Sequence, residues 1–232
     1  MLNKISITVL LLLPIFSSAQ ITEKITIKAG EDISEILSTH GLYLFPDFNS
    51  TEVKLKDGST TRAKMNFNVY MNEIQFIGNK GDTLVIDKPE LIDSILFDSA
   101  TFYYQNGYRQ IIGSNDNVKL VLDRKISFQY VKRGALGLPA SAGVSVETYG
   151  SIAPSFNSPK KLIVDEDIIA IKKSSYFLVL KKNKEVNASY SGFLSAFPVI
   201  KNDIKVFSDT NNINYKSPGD LKKVFKFCID HS

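Results

Sequence analysis

Cysteine is nearly missing from this chain: Cys228 is the single thiol in 232 residues. One thiol cannot close an internal disulfide, so the small stapled scaffolds are excluded and packing must hold the fold. Tryptophan is absent, and histidine occurs only as His40 and His231. His40 precedes Gly41 at an expected helix end and His231 is the second-last residue, so neither is placed for a triad. Neither sign of charge dominates, with 28 Lys and Arg against 24 Asp and Glu and a net charge of +4. That is far from the strongly basic face expected of a nucleic-acid binder.

Chemical motifs are also missing. Gly134-Ala135-Leu136-Gly137 lacks the third glycine and the following helix of a phosphate loop. No Gly-x-Ser-x-Gly elbow occurs. The acidic cluster Asp165-Glu166-Asp167 reads as a solvated turn, because neighbouring carboxylates in an extended stretch point to opposite faces. Cys228 falls on the apolar stripe of an expected helix, where a thiol behaves as a small hydrophobe. No catalytic, cofactor-binding or metal-ligating residue is assigned on this basis.

One long apolar run is present, from Ile5 to Phe16, preceded by Lys4 and followed by Ser17, Ser18 and Ala19. It is shorter than the roughly 20 residues that span a bilayer, and the small residues after it suit a signal peptidase. Residues 1–19 are therefore expected to be a signal peptide, cut between Ala19 and Gln20. No second such run follows, so no transmembrane segment is expected after cleavage.

From 20 to 131 the pattern is that of antiparallel strands and tight turns. Ile25 and Ile27 alternate with polar residues, and residues 31–40 carry a short helical spacing at Ile33, Ile36 and Leu37. Val53 and Leu55 lead into Asp57-Gly58, and Ala63, Met65, Phe67 and Val69 return at spacing two. Ile74 and Phe76 lead into Gly78-Asn79-Lys80-Gly81, and Leu84 and Ile86 return. Phe102-Tyr103-Tyr104 leads into Asn106-Gly107, and Tyr108, Ile111 and Ile112 return. Asp-Gly and Asn-Gly both accept the positive φ of hairpin turns. Val118–Leu122 and Ile126–Val131 read as one more hairpin, turning at Asp123-Arg124. Such spacing predicts a meander that curls into a barrel or sandwich.

Residues 132–160 hold Gly134, Gly137, Pro139, Gly143, Gly150, Pro154 and Pro159 among serines and alanines. Without a hydrophobic period, this stretch is expected to be a flexible loop. Residues 161–232 carry further strands, at 162–164, 168–171 and 176–180, and then helices packed on the same core. Ser191 is the expected cap of a helix bearing Phe193, Leu194 and Phe197, and Ile200, Ile204 and Phe207 share a helix face. The last helix is the best marked: Ser217 caps it, Pro218 takes the first position, and Leu221, Val224, Phe225, Cys228 and Ile229 form its apolar stripe. The fold class is thus mainly β (α+β), with two or three short C-terminal helices.

The stretch from Phe193-Leu194-Ser195-Ala196-Phe197-Pro198 through Ile204, Asn212, Tyr215 and Asp220-Leu221 resembles the tail of uncharacterised exported proteins of Bacteroidetes. The Asp57-Gly58 hairpin and the Gly81-Asp82-Thr83-Leu84 turn are similar to that group as well. The resemblance implies a protein of the periplasm or outer cell envelope, and it carries over no catalytic or binding residue.

The aromatics suggest where a surface would lie. Phe102 and Tyr104 share one strand face and Tyr103 takes the other, with Tyr108 on the returning strand. One aromatic face must be core, and the other is a candidate ligand or partner surface. The functional expectation is an exported, non-catalytic envelope or secreted protein that binds a partner or an apolar ligand. The alternative is a secreted hydrolase-type enzyme whose residues meet only in the fold. A concave pocket gathering convergent polar groups, for example carboxylates with His40, would favour the enzyme, and a filled barrel with an exposed aromatic strip would favour binding.

Overall fold

The computed structural model describes residues 20–131, 146–148 and 163–232. The expected signal peptide lies outside the described residues, and so does the 132–160 loop except for three residues. The chain runs β1 (Gln20–Ile27), α1 (Ile33–Thr39), β2 (Asn49–Leu55), β3 (Thr60–Asn68), β4 (Glu73–Ile77), β5 (Thr83–Val85), β6 (Ile92–Phe97), β7 (Ala100–Tyr104) and β8 (Tyr108–Ser114). It continues with β9 (Val118–Tyr130), β10 (Val146–Thr148), β11 (Ile168–Leu180), β12 (Lys184–Asn187), α2 (Tyr190–Ala196), α3 (Lys201–Thr210) and α4 (Pro218–His231). The strands form one antiparallel sheet in the order β1-β11-β9-β8-β7-β6-β2-β3-β4-β5, with β10 on β9 and β12 on β11. The ends of this order, β1 and β5, do not pair, so the sheet is curled but open.

The turns follow local sterics. At Asp57-Gly58 only glycine takes positive φ, +87°. Gly58 N donates to Leu55 O at 3.0 Å, and Leu55 N donates to Ser59 O at 2.9 Å. The turn is therefore a type I turn closed by a bulge at glycine, not the two-residue turn with two positive φ angles expected from the sequence. Asp57 instead accepts from Ser59 N at 2.8 Å and Ser59 Oγ at 2.6 Å. Gly78–Asp82 repeats the design, with Gly81 N donating to Gly78 O at 3.0 Å and Gly78 N to Asp82 O at 2.8 Å. Asn106 and Gly107 do both take positive φ, 52° and 121°.

One expected hairpin is absent. Asp123-Arg124 is not a turn: β9 runs straight through it and pairs with β11 from Val118↔Leu180 to Tyr130↔Ile168. The expected separate strands at 168–171 and 176–180 are likewise one strand. The polar dipeptide survives inside the sheet because each side chain is satisfied. Asp123 meets Lys125 at 3.3 Å and Arg109 at 4.0 Å, while Arg124 donates to Gln110 Oε1 at 2.7 Å. Val146–Thr148, read from the sequence as loop, forms β10 against Ser127–Gln129.

The long β9–β11 ribbon carries two separate apolar clusters. Phe128, Ile168 and Ala170 join Ile25, Ile27, Phe67, Ile74, Ile95 and Phe102 inside the curl, with Ile33 and Leu37 of α1. Val118, Leu120, Leu122, Tyr176 and Leu178 instead bury the C-terminal helices through Phe193, Phe197, Ile204, Leu221, Val224, Phe225 and Cys228. The helices thus cover a cluster of their own. Each of these large side chains is worth about 1.5–3 kcal/mol when fully buried.

Ser217 caps α4 by accepting from Asp220 N at 3.4 Å, as its position indicates. For α2 the cap is Ser189, which accepts from Gly192 N at 3.2 Å, and not Ser191. Ser191 already lies within the first turn, where its hydroxyl reaches only the Ser189 Oγ, 3.1 Å away. Among the described residues no helix is long and apolar enough to cross a membrane.

Candidate functional site

The site is set by a strand connection and a turn. The link from β5 to β6 leaves the free end of the sheet and returns to pair β6 with β2, so residues 86–91 pass across the mouth of the curl. On the far side, the β3–β4 turn reaches β8 and β9, which are not its neighbours in the sheet. Asn72, at φ +49°, makes this junction. Its Nδ2 donates to Arg124 O at 2.8 Å and to Tyr108 O at 3.2 Å, and its Oδ1 accepts from Tyr108 N at 2.6 Å. An amide side chain here stands in for a strand's peptide group and holds the curl.

A cleft of about 470 Å³ opens beside this junction. Its wall includes Glu73, Ile86, Pro89, Tyr104, Tyr108 and Ile126. Tyr104 and Tyr108 meet edge to face with ring centroids 5.2 Å apart. Glu73 Oε2 is withdrawn from solvent and has no hydrogen-bond partner. Burial pushes the Glu73 pKa up, against a smaller lowering by the Gln75 side chain. Tyr108 is raised as well, first by burial and then by the neighbouring Tyr104 and Glu73. Two cations also line the cleft, and both are engaged: Lys125 with Asp123, and Arg124 with Gln110. Burial lowers the Arg124 pKa.

The aromatic residues singled out in the sequence divide among three environments. Phe102 is fully buried in the curl, stacked on Phe67 at 4.8 Å and edge-on to Phe97 at 5.7 Å. Tyr103 sits on the opposite face, half-buried, with the Lys119 ammonium 5.3 Å from its ring centroid. Its hydroxyl is buried without a partner of bonding geometry, and burial raises its pKa against the opposing pull of Arg109. It lines a second, more polar cleft of about 440 Å³ with Lys56, Asp93 and Asn117. Tyr104 and Tyr108 are the pair that the fold brings to the first cleft.

The remaining chemistry-bearing residues are dispersed. His40 Nδ1 lies 2.9 Å from Ile36 O, and His231 Nδ1 lies 2.8 Å from Phe227 O, each at the end of its own helix. Cys228 is buried among the helices, and burial pushes its thiol up to about 12. Asp167 accepts from Ala29 N at 2.9 Å and lies 3.5 Å from Lys28 Nζ. Among the described residues no group of three or more His, Cys, Asp or Glu is placed to hold a metal ion.

Sequence reasoning missed Asn72, Glu73, Ile86 and Pro89. An asparagine between Met71 and Glu73 does signal a residue tolerant of positive φ. Nothing local shows that it bonds 36 and 52 residues away. The molecule is thus an open, curled antiparallel sheet with a helical layer over one end of its central ribbon and a cleft at the mouth of the curl. No protein family, curated protein or solved structure matches it.

Proposed function

We propose that this is an exported, non-catalytic protein of the periplasm or outer cell envelope, or one secreted beyond it, that binds a small, largely apolar ligand in the Tyr104–Tyr108 cleft. The cleft carries the reading: aromatic and aliphatic side chains converge with a few polar groups at the mouth of a curled sheet, where such folds commonly take ligands. Export is supported by the charged, apolar and small-residue order of residues 1–19. The non-catalytic reading is supported by the placing of His40, His231 and Cys228 away from the cleft.

The test is recovery of the protein from the envelope fraction of its own cells. Its amino terminus should be Gln20, and native mass spectrometry should find a small molecule that is lost in Tyr104→Ala. Protein recovered with Met1 attached would overturn export. A mass equal to the bare chain in both proteins would overturn the binding reading.

A further inference from the structure

We infer that the Tyr104–Tyr108 cleft takes a small organic cation, an amine carried on an apolar or aromatic body, with Glu73 as its counter-charge. This rests on the cleft being a binding site and goes further by fixing the charge of the ligand. Half-buried Glu73 lines the cleft, and one of its carboxylate oxygens, Oε2, is out of solvent and makes no hydrogen bond. A buried ionised carboxylate requires a donor of opposite charge to be stable. The protein does not supply one. Lys125 Nζ is committed to Asp123 at 3.3 Å, and the Arg124 guanidinium donates to Gln110 at 2.7 Å and lies 5.8 Å from the centroid of Phe67.

The neighbours of Glu73 favour a cation over an uncharged donor. Tyr104 and Tyr108 line the same cleft, and ring faces carry negative potential that attracts ammonium groups. The rest of the wall, with Ile74, Val85, Ile86, Pro89 and Ile126, suits the hydrocarbon portion of such a ligand. An anionic ligand would meet the Glu73 charge, and of the two nearby cations Lys125 is already paired with Asp123 while Arg124 already donates to the neutral Gln110.

Three probes of nearly equal size separate the alternatives: phenethylamine, its neutral analogue 2-phenylethanol, and its anionic analogue phenylacetate. Each is titrated into ¹⁵N-labelled protein at neutral pH, with amide shifts followed at Glu73, Tyr104, Tyr108 and Ile126. The amine should bind at least tenfold more tightly than the other two. Glu73→Gln, checked for a wild-type circular dichroism spectrum, should abolish that preference. Tyr104→Leu should weaken the amine severalfold, and serves if the first variant does not fold. If the alcohol binds as well as the amine, or Glu73→Gln keeps the preference, the cation inference is wrong while the cleft remains a binding site. If none of the three moves the cleft amides, the inference and the binding reading fall together.

Discussion

Asn72 and Tyr108, 36 residues apart in sequence, face each other as strand neighbours do, with Tyr108 N donating to Asn72 Oδ1 at 2.6 Å and Asn72 Nδ2 returning a bond to Tyr108 O at 3.2 Å. The sheet order gives β4 and β8 no direct pairing, so this side chain supplies a junction that the ladders do not. The junction also fixes the cleft, because Glu73 follows Asn72 directly and the Tyr108 ring forms part of the same wall.

Replacing Asn72 with alanine should therefore cost about 2–3 kcal/mol, because three partly buried backbone groups lose a partner. Asn72→Gly should cost less, since glycine accepts φ +49° without strain. Urea unfolding of both variants measures this. Midpoints equal to wild type in both would show that the junction contributes nothing.

Glu73→Gln should stabilise the unliganded protein at neutral pH. The folded Glu73 pKa is raised by burial, so the stability tied to this group is complete below the ordinary carboxylate pKa. It is lost as pH rises through the raised folded value. The melting temperature of the variant should exceed wild type at pH 7, and the gap should close near pH 4. A gap that widens on acidification would contradict the assignment.

Gly113 on β8 packs directly beneath α4. A Cβ there would lie 2.9 Å from Phe225 Cδ1 and Cε1. Overpacking of this kind costs about 1–3 kcal/mol, so Gly113→Ala should destabilise by that amount. Phe225→Leu in the same chain should recover part of the loss, giving a non-additive double-mutant cycle. Strict additivity would mean that the two residues do not share the contact.

Cys228 should resist thiol reagents in the native protein and react at once in denaturant. Burial that raises its pKa to about 12 leaves almost no thiolate at neutral pH. Its contribution to stability is complete below the free thiol value of 9.0 and is lost as pH climbs toward 12. Tyr70, also raised to about 12 by burial, loses its contribution over the upper part of the same range. Labelling with Ellman's reagent together with an alkaline unfolding curve checks both statements. Rapid native labelling at pH 7 would contradict the burial.

The hairpins at Gly58, Gly81 and Asn106-Gly107 and the cap at Ser217 were legible because each depends on residues within one turn of chain. A positive φ, a side-chain oxygen three residues before an orphan N–H, and an apolar stripe are local facts. Asp123-Arg124 was misread for the opposite reason. Two adjacent charged residues look like a turn until Arg109 and Gln110 from the neighbouring strand are seen to satisfy them.

The cleft depended wholly on such distant meetings. Tyr104 and Tyr108 stood out as aromatics flanking a turn, but nothing in the chain separated them from Phe102, which ended in the core. By itself the amino-acid sequence determined an antiparallel β chain with a helical tail and no disulfide, since backbone sterics and hydrophobic period act over a few residues. Which strands adjoin, where the interior divides in two, and which carboxylate lines a cleft with one oxygen unbonded were decided by the tertiary fold. Those outcomes depend on contacts between segments whose separation along the chain carries no local signal.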